Sequence, residues 1–258
     1  MPRSDAALSG RVALVTGGGR GIGRAISLAL AEDGAAVAVN YRRDAEAAQH
    51  TVTAIQRLGR KARAFQASVD EFDQDEAMVA QAIEEFGHID ILVNNAGLAS
   101  RGRAVADTDP AEFERVMRIH AFAPHYLSKL VLRSMRRQPR GDIIMISSTA
   151  TLFNAAGGAP YSMGKAAMES LALTLSREER RHGVRVNIVA PGLVETEMGK
   201  RLVKATQGVD DLRQLDEAMP FGHVCQPAEV ADVVRFLVSD GAAYVTGQRI
   251  YVDGGAMP

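Results

Sequence analysis

A doubly wound α/β fold, seven parallel strands with helices on both faces, is predicted for this 258-residue chain. Three observations predict it. Short β-branched runs alternate with longer amphipathic ones, the rhythm of strand–helix–strand units joined by right-handed crossovers. Several of the short runs are apolar throughout, as strands covered on both faces should be. No linker, repeat or low-complexity stretch divides the sequence, so 1–258 reads as one domain.

The elements follow in order. "RVALVT" (11–16) is the first strand; it runs into the glycine cluster "TGGGRGIG" (16–23) and a helical pattern over 22–33. "AAVAVNY" (35–41) is the second strand, with a helix over 44–58, and "KARAFQA" (61–67) the third, with a helix over 72–86. "IDILVNN" (89–95) leads to a long helical pattern over 111–137, and "DIIMISS" (142–148) to another over 160–182. "VRVNIVA" (184–190), a helix over 227–239 and "QRIYVDG" (248–254) complete the set. The stretch 193–226 is too long for a plain connection; from 193 to about 222 it is expected to act as a lid over a substrate.

Composition narrows the partners. Thirty Lys+Arg nearly balance 31 Asp+Glu, so no global field favours nucleic acid or an anionic membrane. No apolar run approaches the length of a membrane span, and the first residues do not read as a signal peptide. Cys225 is the one cysteine, which excludes an internal disulfide and reads as an inert thiol. A cytoplasmic protein is expected. His50, His88, His125, His182 and His223 do not cluster with acids at ligand spacing, so no catalytic metal is expected.

A strand, a tight glycine turn and a helix start make an anion site, because backbone N–H groups and the helix dipole point at a phosphate. Gly17, Gly21 and Gly23 are the glycines tied to close backbone approach; the spacing is G-x-x-x-G-x-G, with no Lys-Ser/Thr pair of a P-loop. An acid about 20 residues beyond such a loop would hold a ribose 2′-hydroxyl. Tyr41 stands there instead, followed by Arg42 and Arg43, with Arg20 inside the loop. Guanidinium groups suit a 2′-phosphate, so NADP is expected, with Arg20 and Arg42 as its clamp. Asp44 leaves NAD use open.

"PYSMGK" (160–165) places Tyr161 and Lys165 four apart on one helix face. An ammonium near a phenol favours the phenolate, so Tyr161 is expected to have a lowered pKa and to work as acid or base. Ser148 ends the fifth strand, at the edge where parallel sheets bind ligands.

Together "TGGGRGIG", "NNAG" (94–97), Ser148 with "YSMGK", "PGLVET" (191–196) and "TGQRIYVDGG" resemble the short-chain dehydrogenase/reductase family over essentially the whole chain. The resemblance implies a Rossmann-type sheet and hydride transfer between a nicotinamide and a carbonyl or alcohol carbon of a small molecule. It makes Tyr161 the general acid/base and Ser148 the anchor for the substrate oxygen. Lys165 becomes a ribose ligand and modifier of Tyr161. It places Gly17, Arg20, Gly21, Ile22, Gly23, Arg42, Ser68, Val69, Asn94, Ala96, Gly97, Pro191, Gly192, Val194 and Thr196 along the cofactor. It also implies a homotetramer built through the long helices and the last strand.

Two positions depart from the family pattern. Ser68 replaces the Asp usual near the adenine, and a weaker contact there is expected; Asp70 reads as a surface turn residue. His120 stands where the family places an Asn, whose role is to keep a helix kink and leave a main-chain carbonyl free for a water. Pro124 has no N–H to offer the carbonyl of His120, so the sequence supplies its own free acceptor. A free carbonyl, a working imidazole and plain packing are the readings carried forward for His120.

The pocket is expected from 98–103, 149–159 and the lid, with Leu152, Phe153, Leu193 and Met198 as apolar walls. Arg101 and Arg103 read as solvated loop residues, and the basic cluster "RSMRRQPR" (133–140) is a docking candidate for an acyl carrier protein. The expected activity is an NADP(H)-dependent carbonyl/alcohol oxidoreductase. A 3-oxoacyl-[acyl-carrier-protein] reductase is the alternative within enzymes; a non-catalytic NADP-binding sensor is the alternative outside them.

Overall fold

The computed structural model describes residues 7–256. β1 (Val12–Val15), β2 (Ala36–Tyr41), β3 (Ala62–Gln66), β4 (Ile91–Asn94), β5 (Gly141–Ile146), β6 (Val184–Pro191) and β7 (Arg249–Val252) form one sheet. Their order is β3-β2-β1-β4-β5-β6-β7, and every pairing is parallel. Each strand overlaps its expected run. The alternation of side chains sorts them into two layers: Ala13 and Val15 pack on one face with Ile26, Leu30 and Val234, while Leu14 packs on the other with Val131, Met168 and Leu175. The first layer is built by α1 (Gly21–Glu32), α2 (Ala45–Arg57) and α9 (Pro227–Val238); the second by α3 (Phe72–Phe86), the long helical run after β4, and α7 (Ala159–Glu179).

β1 pairs with β2 on one side and β4 on the other, so the winding reverses between β1 and β4. Ligands of such sheets bind outside the carboxyl ends of the strands at this point. The glycine turn leaves β1 there, and "NNAG" leaves β4.

Two expected segments are more structured than the sequence pattern suggests. The long helix divides into α4 (Pro110–Met117), a π segment (Arg118–Phe122) and α5 (Ala123–Met135). The stretch after β6 holds α8 (Glu197–Gln207) and a 3-10 turn (Leu212–Ala218), packed on a small core of Val203, Leu212 and Val224. A short helix α6 (Ala150–Phe153) follows β5. No described helix is long and apolar enough to cross a membrane.

Candidate active site

Thr16 and Asn95 lock the two loops of the switch point together. The Thr16 hydroxyl oxygen accepts from the N–H groups of Asn95 and Ala96, both at 2.9 Å, and the Asn95 amide donates to the Thr16 carbonyl at 2.8 Å. Asn40, buried at the end of β2, accepts the Gly17 N–H at 3.1 Å and gives its amide to the Ala67 carbonyl at 3.1 Å. None of the three belongs to the expected set. The second Asn of "NNAG" was the available signal for Asn95; Asn40 and Thr16 become functional only through partners distant in sequence. Asn94 turns its amide into the sheet, 3.3 Å from the Met145 sulfur.

Gly17 and Gly21 take positive φ angles, 61° and 53°, where a side chain would strain the turn. A Cβ at Gly23 would run into the Gly17 carbonyl, so the first turn of α1 packs directly on the loop. Arg20, the residue capping α1, supplies no side-chain acceptor to that first turn. The cradle therefore presents helix N–H groups to an incoming anion, and Ile22 sits in the same turn. Thr196 faces it: its Cγ2 lies 3.4 Å from where a Gly21 Cβ would sit. The Thr196 hydroxyl caps α8 through the Gly199 N–H at 3.0 Å. Pro191 and Gly192 tie this wall to its neighbours, the Pro191 carbonyl accepting from Thr149 at 3.0 Å and Gly192 N–H donating to Val252 at 3.1 Å. Val194 is buried and bridged to Cys225.

Beside this cradle, Arg20 and Asp44 approach to 4.0 Å, both well exposed. Asp44 also accepts the Ala47 N–H at 3.0 Å as the cap of α2. The Arg42 guanidinium has its pKa lowered by partial burial and by Arg115, Arg43 and Arg20 around it, with Asp70 opposing. Arg115, from α4, is an addition that sequence spacing could not reveal. Ser68 hydrogen-bonds the Asp70 carboxylate, and its N–H donates to Gln74 at 2.8 Å. Asp70 thus holds the Ser68 turn, and Val69 beside it is buried.

Ser148, Tyr161 and Lys165 come together at the carboxyl end of β5. Ser148 follows β5 and accepts the Ala150 N–H at 3.2 Å, which leaves its own hydrogen for Tyr161. Lys165 is buried, and its Nζ donates to the Ile146 carbonyl at 2.7 Å, 5.7 Å from the centre of the Tyr161 ring. Burial pushes Lys165 down to about 7, with Glu169 opposing. The balance at Tyr161 differs from the expected one. Burial raises its pKa, and the Ser148 hydrogen bond is the opposing effect. Tyr161 is therefore a protonated phenol near neutral pH, held ready to donate.

His120 is fully buried in the π segment, its ring 5.1 Å from the Tyr161 ring and edge-on to it. Ala123 N–H reaches the Arg118 carbonyl, five residues back; this widened turn lies just before Pro124, which cannot bond the His120 carbonyl. The kink expected here is thus a π turn. The side chain fills a slot between two glycines: a Cβ at Gly97 would come within 2.8 Å of the ring, and one at Gly164 within 2.8 Å of the His120 Cβ. Nε2 lies 2.8 Å from the Leu98 carbonyl and donates to it. Burial and the Lys165 charge push the imidazole down to about 3, so it is neutral at working pH and does not shuttle protons by becoming charged.

The expected wall residues divide. Leu152, Phe153 and Met198 are exposed on α6 and α8, with Leu202 beside Met198, at the carboxyl ends of the adjacent strands β5 and β6. Leu193 packs instead on the small core under α8. Arg101 pairs with Glu112 at 3.7 Å while staying largely exposed. Burial first, then Glu229, pushes the half-buried Cys225 thiol up to about 12, an inert thiol at neutral pH.

Residues 17–257 match a family profile described as enoyl-(acyl carrier protein) reductase. A versicolorin reductase of Emericella nidulans is 39% identical over 96% of both chains. The chain belongs to the short-chain dehydrogenase/reductase family. Within this family, a 3-oxoacyl-[acyl-carrier-protein] reductase of Synechocystis sp. is 37% identical over 96% of this chain and 98% of its own. The solved structure of an angucycline C-6 ketoreductase with bound NADP superposes with a TM-score of 0.87, at 36% identity over 97% of this chain and 96% of the other. As a member of this family, the chain is an oxidoreductase acting on carbonyl or alcohol carbons.

Proposed function

We propose that the chain is an NADPH-dependent reductase of an apolar ketone, working through Ser148, Tyr161 and Lys165. The observation that carries this reading is the protonated, Ser148-bonded Tyr161 beside Lys165, in a fold that also offers an uncapped helix start and an arginine cluster. The α1 turn would hold the pyrophosphate and Arg20 and Arg42 the 2′-phosphate; when bound, NADPH supplies the hydride that goes to the carbonyl carbon. Ser148 orients the carbonyl oxygen, Tyr161 gives that oxygen its proton, and Lys165 stabilises the phenolate left behind. Asn94, Ala96 and Gly97 would flank the cofactor with Pro191, Gly192, Val194 and Thr196 opposite, and Ser68 and Val69 would meet the adenine. The apolar rim of α6 and α8, with residues 193–222 as its lid, supports an apolar substrate.

The 3-oxoacyl thioester alternative is weakened by where the basic cluster lies. Residues 133–140 precede β5, at the amino edge of the sheet, about 17 Å from the end of that strand at 3.3 Å per residue. Arg136 there is held by Glu179 at 2.6 Å and Arg140 by Asp142 at 3.1 Å. Assay of ketones, diketones and acetoacetyl thioesters with NADPH separates the readings. Ketones turned over well above thioesters support the proposal, the reverse supports the thioester reductase, and tight NADPH binding without turnover supports a sensor.

Cofactor choice gives a sharper outcome. Arg42→Ala is expected to lower kcat/KM for NADPH by about 10- to 100-fold, the loss of one charge-assisted hydrogen bond, while the value for NADH stays within about twofold. An equal loss with both cofactors would place Arg42 elsewhere.

His120 serves, in this reading, as a neutral filler that pins the Leu98 carbonyl while the kink frees its own. His120→Asn is then expected to keep kcat within about tenfold, a barrier change of about 1.4 kcal/mol. A much larger loss in a natively folded variant would make the imidazole a working part. A homotetramer and a cytoplasmic location complete the proposal. Exposed Phe122, Met163 and Tyr251 on the long helices and β7 support the first, and sedimentation of the purified chain tests it; the single inert cysteine is compatible with a reducing compartment.

A further inference from the structure

A buried carboxylate lies one helical turn beyond Lys165 and outside the set of groups used so far. Glu169 is only 4% exposed. Its Oε1 accepts from the Ser147 hydroxyl at 2.6 Å and lies 3.1 Å from the Thr151 hydroxyl. Ser147 and Thr151 bracket Ser148 on both sides. The Thr151 N–H donates to the Ser148 carbonyl at 3.3 Å, and the Thr151 hydroxyl shares its hydrogen between that carbonyl and Glu169. Oε2 of Glu169 meets Arg249 of β7 at 3.0 Å, and Arg249 in turn reaches the Tyr251 hydroxyl at 3.0 Å. Residues four apart on a helix stand side by side, so Glu169 is the negative neighbour of the Lys165 ammonium. The other groups packed around this pair are Tyr161 and neutral His120 on the cofactor side, Ser147 and Ser148 from the β5 end, Thr151 from α6, and Arg249 from β7.

We propose that Glu169 is a positioning residue: it clamps the Ser148 segment through Ser147 and Thr151 and supports the ammonium form of Lys165, and so sets the upper pH to which Lys165 can hold the phenolate of Tyr161. The proposal rests on the Ser148–Tyr161–Lys165 reading above. Its sign is fixed. Removing the Glu169 charge takes away a carboxylate that favours the ammonium, and so lowers the Lys165 pKa. Removing Arg249 does the opposite, because it takes away a cation that competes for Glu169.

The test compares Glu169→Gln, Glu169→Asp and Arg249→Gln with the wild type in ketone reduction, the direction in which a charged Lys165 must hold the phenolate left by Tyr161. Glu169→Gln keeps an acceptor for Ser147 and is expected to move the high-pH limb of kcat down by about one unit. Glu169→Asp keeps the charge and is expected to leave the limb in place while lowering kcat; Arg249→Gln is expected to move it up. NMR titration of Lys165 in the apoprotein gives a readout that needs no turnover, and Glu169→Gln should lower its midpoint by a similar amount. An unchanged Lys165 titration, or a uniform loss of kcat with the limb unmoved, overturns the proposal. No turnover in the wild type with a shifted Lys165 titration overturns the reductase reading and leaves the Glu169–Lys165 coupling standing.

Discussion

Tyr161→Phe is expected to lower kcat for ketone reduction by about 10²- to 10⁴-fold, the usual worth of a positioned general acid. KM for NADPH should change by less than about threefold. The reason lies in what each group can donate. When hydride reaches the carbonyl carbon, negative charge builds on the oxygen, and that oxygen needs a proton from a group already hydrogen-bonded there. Ser148 has one hydrogen and a pKa far too high to part with it; Lys165 directs its Nζ to the Ile146 carbonyl at 2.7 Å. His120 is neutral, with its Nε2 hydrogen committed to Leu98. Tyr161 alone combines a protonated oxygen, a Ser148 partner and a nearby cation. Steady-state kinetics with fluorescence titration of NADPH separates chemistry from binding. Turnover unchanged in Tyr161→Phe would remove the mechanism, while a loss confined to KM would make the hydroxyl a binding contact only.

The strands and most helices were legible because they depend on local periodicity. β1 through β7 each overlap an expected run, while the place of the reversal, between β1 and β4, is seen only in the fold. Pro124 even announced the kink, since a missing N–H acts on the carbonyl four residues before it. What sequence did not disclose depends on burial and on partners far along the chain. The Thr16–Asn95 lock spans 79 residues, and Arg115 of α4 comes within electrostatic reach of Arg42, far from it in sequence. The raised Tyr161 pKa follows from desolvation, which a Y-x-x-x-K spacing cannot measure. Asp75 is the sharpest instance. It reads as one of several acids in the first turn of α3, a favourable place for negative charge. In the fold it is fully buried with neither oxygen hydrogen-bonded among the described residues, and burial, then Asp70, pushes it up to about 8.

Asp142→Asn is expected to destabilise the fold by about 3 to 5 kcal/mol, the cost of removing one partner from a buried ion pair, and to leave kcat nearly unchanged. Asp142 is the second residue of β5, at the amino edge of the sheet, the edge away from Ser148, and is 1% exposed. Arg11, Arg140 and Arg185 converge on it at 2.7, 3.1 and 2.5 Å. Each arginine also holds the end of α9 or the turn after it. Arg11 donates to the Val238 carbonyl at 3.0 Å, Arg140 to Val238 and Ser239 at 2.6 and 2.8 Å, and Arg185 to Leu237 at 2.6 Å. One carboxylate, with Asp240 also on Arg140 at 2.8 Å, is therefore the shared counter-charge of three cations that together cap a helix and fasten it to β1, β5 and β6. The Asn side chain fills nearly the same volume but carries no charge, so the guanidinium groups would face one another in a poorly solvated site. At about 2 to 4 °C per kcal/mol for a chain of this size, Tm should fall by roughly 6 to 20 °C. Calorimetry at matched protein concentration reads the stability, and kcat below the new transition reads the chemistry. A large loss of both would mean that the amino edge of the sheet is coupled to the site at its carboxyl edge; a Tm within about 2 °C of wild type would mean that the cluster repels as much as it binds, and that packing alone holds α9 in place.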